Sequence, residues 1–260
     1  MRKTAVVFAF SITGVLFACV AWAAPAGQVQ NASGFVVLES RDVSPRVAAA
    51  GAVIEPGTTI RTGDRSNAVL RFRDGQLVAL TENSTFRLDG YTYDQAEPEK
   101  SRFAGSFLRG SARFVTGAIG DRNREGWRVA MPTATVGIHG TDFVLGMQQV
   151  GYVQVLNGEV VLMNNAGSVV FSAGQIGHAP SANALATLVA ELPAGVAANF
   201  SNAVALSLSA TGGSAAGAGL AGGVAGIPIP VWGLIGIGAA AAAAAAGGGS
   251  GGSTPTTTQH

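Results

Sequence analysis

Residues 68–80 read AVLRFRDGQLVAL. An Asp-Gly pair between two apolar runs supplies the left-handed backbone that a two-residue turn requires, so Asp74 and Gly75 are expected at the tip of a β-hairpin. That register sets Phe72 opposite Leu77 and Leu70 opposite Ala79, all four on one face, with Arg71 and Arg73 on the other. Residues 151–163, GYVQVLNGEVVLM, repeat the arrangement with Asn157 and Gly158 at the turn. Val153, Val155, Val160 and Leu162 then share a face, and a slip of one residue would expose all four.

Around these two hairpins, residues 34–180 form a succession of short strand-like runs broken by Gly, Asp and Asn, with almost no helical periodicity. Further strands are expected at 34–38, 52–54, 84–88, 107–115, 127–130, 134–137, 141–145 and 168–171. The fold class is therefore all-β: a compact β roll or short β-helix-like solenoid of many short strands, followed by a low-complexity Ala/Gly-rich C-terminal tail. TGDRSN from residue 62 is echoed by TGAIGDRN from residue 116, but the irregular period argues against a long array.

The chain has 260 residues, 48% hydrophobic and 12% charged, enough to bury a core without covalent staples. Its formal charge of +1 conceals an asymmetry, because all sixteen Lys and Arg lie at or before Arg128. Acids alternate with those bases from Glu39 to Arg128, which describes a solvated mixed-charge face, and no nucleic acid is expected as a partner.

Residues 1–23 carry Arg2 and Lys3, an apolar run and Ala21-Trp22-Ala23, the pattern of a secretory signal peptide. Export to the periplasm, the cell envelope or the cell surface is expected. Cys19, the single cysteine, falls in that segment, so no disulfide and no Cys metal site is expected downstream. Its surroundings also resemble a lipoprotein signal.

Past Pro180, residues 181–210 suggest a short helix interrupted at Pro193 and Gly195. Residues 211–226 read as a Gly/Ala linker. Residues 227–246, IPIPVWGLIGIGAAAAAAAA, match the length of a bilayer span but are rich in weakly inserting Ala, and are read equally as a membrane segment or an apolar spacer. Residues 247–260 form a polar, disordered tail.

Two familiar motifs arise from composition alone. Gly217 to Gly222 matches G-x-G-x-x-G without a preceding strand or a following acid, and Gly248 to Gly252 matches G-x-S-x-G inside polyglycine. His139, His178 and His260 have no metal-ligand spacing. Asp142 and Glu159 are the only carboxylates proposed as a pair, and both suit turn or strand-edge roles. No catalytic, cofactor-binding or metal residue is assigned.

The remaining polar cluster lies in MPTATVGIHGTDFVLG, residues 131–146. His139, Gly140, Thr141 and Asp142 are read as a structural turn or contact site. Gly140 permits a positive φ, Thr141 and Asp142 serve nearby backbone amides, and His139 is a titratable group beside a carboxylate.

Several stretches in order, GTTIRTGDRSNAVLRFRDGQLVALTENSTFRL, GSFLRGSARF, VAMPTATVGIHGTDFVL, VQVLNGEVVLM and FSAGQ, are similar to the FecR domain of bacterial extracytoplasmic proteins. Met131-Pro132, His139-Gly140-Thr141-Asp142-Phe143, Asn157-Gly158 and Ala173-Gly174-Gln175 occupy the places of that family's Thr-Pro, Arg-Gly-Thr-x-Phe, Gly and Ala-Gly-Gln. His139 stands where the family most often has Arg.

The family's founding members are membrane sensors that regulate a sigma factor through an N-terminal cytoplasmic segment. With a signal peptide in that place, the resemblance implies an exported, non-catalytic module that binds an envelope protein or a surface or cell-wall polymer. The alternative is an extracytoplasmic signal receiver, attached to the membrane through residues 227–246. No cofactor is implied.

Overall fold

The computed structural model describes residues 25–41 and 43–210. The expected signal peptide with Cys19, the linker, the apolar segment 227–246 and the tail lie outside the described residues. Within them the strands are β1 (Gly27–Ser33), β2 (Val36–Ser40), β3 (Val43–Val47), β4 (Val53–Ile54), β5 (Thr59–Thr62), β6 (Asn67–Phe72), β7 (Leu77–Leu80) and β8 (Thr85–Thr92). They continue with β9 (Arg102–Val115), β10 (Trp127–Ala130), β11 (Thr135–Met147), β12 (Gly151–Asn164), β13 (Gly167–Ser172), β14 (Ile176–Ala179) and β15 (Thr187–Val189). The α-helices are α1 (Ala118–Arg122) and α2 (Ala194–Ala210). No helix among the described residues is long and apolar enough to cross a membrane.

All these strands join one open mixed sheet, antiparallel at every pairing except β9 with β10. The sheet begins before the expected residue 34, because β1 pairs with both β4 and β6. Three long strands, β9, β11 and β12, organise the rest by changing partners halfway. The first half of β9 lies between β8 and β10, and its second half between β7 and β11. β11 runs from β10 to β9 along one flank while keeping β12 on the other, and β12 runs from β14 to β13.

Each of these strands bends where it changes partner, at Gly110, Gly140 and Gly158, all with positive φ. The bend also switches which alternate residues face the core. On β11 the core residues are Val136 and Ile138 before it and Phe143, Leu145 and Met147 after it. On β9 they are Phe103 and Phe107, then Ala112 and Phe114. One inserted residue resets the two-residue period, which is the action of a β-bulge.

Two expectations are corrected here. Asn157 and Gly158 are not a hairpin turn; they lie inside β12, and the connection between β11 and β12 is Gln148–Val150. Val153, Val155, Val160 and Leu162 all face the core as expected, but through the bend in one strand and not through cross-strand pairing. Likewise His139–Asp142 do not separate two strands; β11 runs continuously through them.

The Asp74-Gly75 hairpin exists, with its register one residue away from the expected one. Leu70 pairs with Val78 and Arg71 with Leu77, because the loop has three residues, Arg73 to Gly75, closed by hydrogen bonds from Gly75 N to Phe72 O and from Phe72 N to Gln76 O. A turn followed by a left-handed Gly bulge adds that residue. Leu70 and Phe72 therefore join Val78 and Leu80 in the main core, whereas Leu77 and Ala79 lie with Val69 on the opposite face.

The main core is aromatic at its centre. The Trp127 ring stacks on Phe103 at 5.5 Å and meets Phe114 and Phe143 edge-on at 6.1 and 5.9 Å. All four are essentially fully buried, each worth roughly 1.5–3 kcal/mol or more in removal from water. The loop tip docks beside it. Asp74 accepts hydrogen bonds from Tyr91 Oη (3.2 Å), Gln76 N (3.3 Å) and Ile119 N (3.4 Å), and Trp127 Nε1 donates to Gln76 Oε1 at 2.5 Å.

Helix α2 starts after Pro193, a residue suited to the first turn and not to a helix interior. It covers the other face of the sheet. Val196, Phe200 and Ala203 pack on Val144, and Leu206 packs on Val69, Leu77 and Ala79. Gly146 gives it room, since a β-carbon there would stand 3.0 Å from Phe200 Cζ and closer still to Cε1.

Candidate functional site

The polar cluster at residues 139–142 occupies the shared bend of β11 and β12. At that point the two backbones approach closely: a β-carbon on Gly158 would overlap the carbonyl oxygen of Gly140 and stand 2.9 Å from Thr141 Cγ2. Gly140 itself has φ +60. Only glycine fits both the backbone conformation and the space at position 158.

The flanking side chains are engaged in ways the turn reading did not anticipate. Thr141 holds the bend through its backbone. Its N–H donates to Thr116 Oγ1 (3.0 Å), and its carbonyl accepts from Thr116 Oγ1 (2.9 Å) and Thr116 N (3.0 Å). The Thr141 hydroxyl is buried with no hydrogen-bond partner among the described residues.

Among the described residues, Asp142 accepts from no backbone amide. It accepts two hydrogen bonds from one guanidinium, Arg113 Nε to Oδ1 at 2.7 Å and Arg113 Nη2 to Oδ2 at 2.5 Å. The Arg113 and Asp142 side chains are 11% and 22% exposed, so water screens this bidentate pair poorly. Arg113 Nη1 also donates to the carbonyl of Val204 in α2 at 3.1 Å. A single guanidinium thus ties the bend of β11 to the helix on the outer face.

His139 lies opposite Glu159 on β12, Nδ1 to Oε2 3.3 Å, with both side chains about half exposed. The second half of the supposed carboxylate pair is therefore held by His139, and the first by Arg113. His178 is elsewhere, stacked on Tyr152 at 4.9 Å. Among the described residues no three His, Cys, Asp or Glu side chains are grouped to hold a metal ion.

Two anchors of this cluster, Arg113 and Thr116, escaped the sequence reading. The available signal was a lone Arg inside the otherwise apolar run around Ala112 and Phe114, a position that demands an acidic partner. A second polar feature also escaped it. The flank of α2, the segments 65–67, 82–83 and 148–150, and the bend of β9 at 109–110 enclose two adjoining clefts of about 380 and 770 Å³ that share Glu82.

The FecR protein family model matches residues 58–161, a stretch that holds the Asp74 hairpin, the Trp127 cluster and the whole shared bend. This region resembles a FecR domain. Two crystal structures of a protein assigned as an anti-sigma factor from Parabacteroides distasonis are similar to the chain, each at 18% identity and a TM-score of 0.42 over 54% of it. The chain spans 63% and 62% of the length of those solved chains. No curated protein matches.

Proposed function

We propose that the chain is an extracytoplasmic FecR-type signalling module that acts by binding a component of the cell envelope, without catalysis. The observation that carries this reading is the FecR family match at residues 58–161, the stretch that holds the bend. Asp142 is held in the bend by two hydrogen bonds from the Arg113 guanidinium. Export by the residue 1–23 signal would deliver the domain to the envelope.

Cross-linking the full chain in its native envelope and recovering it should yield a defined adduct, protein or polymer. Recovery of the bare chain alone at saturating cross-linker would overturn the proposal. A second reading, reception of a signal at the membrane, requires residues 227–246 to be embedded; release of the intact chain by carbonate washing would refute it.

A further inference from the structure

We infer that the groove along α2 is a binding site for a linear glycan built from neutral or N-acetylated sugars. This rests on the binding-module reading above and names its ligand class.

The two clefts adjoin at Glu82 and share α2 as one wall, with Val196, Asn199 and Asn202 in the same three-residue rhythm. Pro193 lines one end and Leu206 the other, thirteen residues apart, so the wall is about 20 Å long at ~1.5 Å per residue. Such a trough suits an extended polymer better than a compact metabolite.

Its chemistry is that of amides. Asn67, Asn83, Gln148, Gln149, Asn199 and Asn202 all line it, and none makes a side-chain hydrogen bond within the described residues. Each offers two N–H donors and a carbonyl acceptor, which match sugar hydroxyls and acetamido groups that both donate and accept. Asn83 is held at φ +53.

Val150 and Tyr152 add apolar surface among the amides, suited to the C–H faces of sugar rings. Tyr152 is braced by its stack on His178, so little ordering would be lost on binding. The cations are sparse and partly balanced. Arg65 pairs with Asp64 and Glu82 lies in the trough itself, leaving Arg109 as the cation there that has no ion-pair partner among the described residues. A polyphosphate or polyuronate would call for more. A peptide strand would need an unpaired sheet edge, whereas the strand residues in these walls, Asn67, Arg109 and Tyr152, are already paired.

The test uses the full chain and two probes: purified peptidoglycan sacculi, by co-sedimentation, and soluble tetrasaccharides of N-acetylglucosamine and of glucose, by calorimetry. Asn199→Ala with Asn202→Ala should weaken binding at least tenfold while the melting temperature holds, since Ala favours the helix. Exposed Gln28→Ala, on β1, should change nothing. Binding to sacculi would place the glycan in the cell wall, and binding to tetrasaccharide alone would place it in a free polysaccharide. No binding to either probe, or binding indifferent to the double variant, would overturn the glycan site. If a cross-linked protein adduct were still recovered from the envelope, the broader reading would stand without it.

Discussion

Gly158 is pressed against the backbone of Gly140, with no room for even a methyl group between the two strands. Gly158→Ala must both adopt a left-handed φ and displace that carbonyl. We expect a loss of about 2–4 kcal/mol in urea unfolding. Gly174→Ala gives the comparison, since its φ is +85 but nothing lies within 4 Å of its added β-carbon. It should lose only about 1 kcal/mol from backbone strain. Equal losses at the two positions would show that close approach is unimportant at the bend.

Arg113 and Asp142 form one unit with α2. Asp142→Asn leaves a poorly solvated guanidinium short of its counter-charge and should destabilise by about 2–4 kcal/mol. Arg113→Met should cost a similar amount, and the double variant little more than the worse single one. A coupling energy of at least about 1.5 kcal/mol is expected from the cycle. Simple additivity would mean that the pair is not a unit.

The buried Asp74–Tyr91 contact predicts two steps in the pH dependence of stability. Burial raises the Asp74 carboxyl above its ordinary 3.8 despite hydrogen bonds from Gln76 N, Ile119 N and Tyr91 Oη. The folded chain therefore keeps this proton to higher pH than the unfolded chain. That contribution is complete below pH 3.8 and is lost as pH rises through the folded value.

Asp74→Asn should remove this step, seen as a flatter stability profile between pH 3.5 and neutrality. Burial, and next the Asp74 charge, raise the Tyr91 phenol above its ordinary 10.0. Its contribution is likewise lost as pH rises above 10, and Tyr91→Phe should flatten that alkaline limb. Profiles unchanged by both substitutions would show that neither group titrates differently on folding.

His139 and Glu159 are an exposed cross-strand pair. His139→Ala should shift stability by no more than about 0.5 kcal/mol. His139→Arg should be tolerated equally, because the exposed position leaves room for the longer side chain beside Glu159. A loss above about 2 kcal/mol would reveal a structural role that the exposed geometry does not provide.

The all-β class was legible because alternation and turn residues are local signals, and β10, predicted at 127–130, is found at Trp127–Ala130. The errors arose where one inserted residue changes the period. Asp74-Gly75 looks identical in sequence whether the loop holds two residues or three, yet the choice decides whether Leu77 faces the aromatic core or α2. Asn157-Gly158 has the composition of a hairpin tip, but its backbone is held inside β12 by pairing with β11.

The candidate site was half legible. His139 to Asp142 stood out as polar residues in an apolar setting. Arg113, 29 positions before Asp142, and Val204, 91 positions after Arg113, are brought to it only by tertiary folding. The amide groove was invisible for the same reason, because its residues come from several separate strands and connections and one helix.

Since the inward side changes parity at Gly110, Gly140 and Gly158, chain length is a stricter constraint than side-chain identity within β9, β11 and β12. Deleting a single position between His139 and Asp142 would put Val136, Ile138, Phe143, Leu145 and Met147 into one unbroken alternation, which the bend contradicts: if the neighbouring strands keep the bend, Phe143, Leu145 and Met147 turn outward together. Insertions and deletions are therefore tolerable in connections such as Gln148–Val150, where no such phase is carried. Inside the three bent strands, a change of one residue sets the side-chain alternation against the bend, and one of the two must give way.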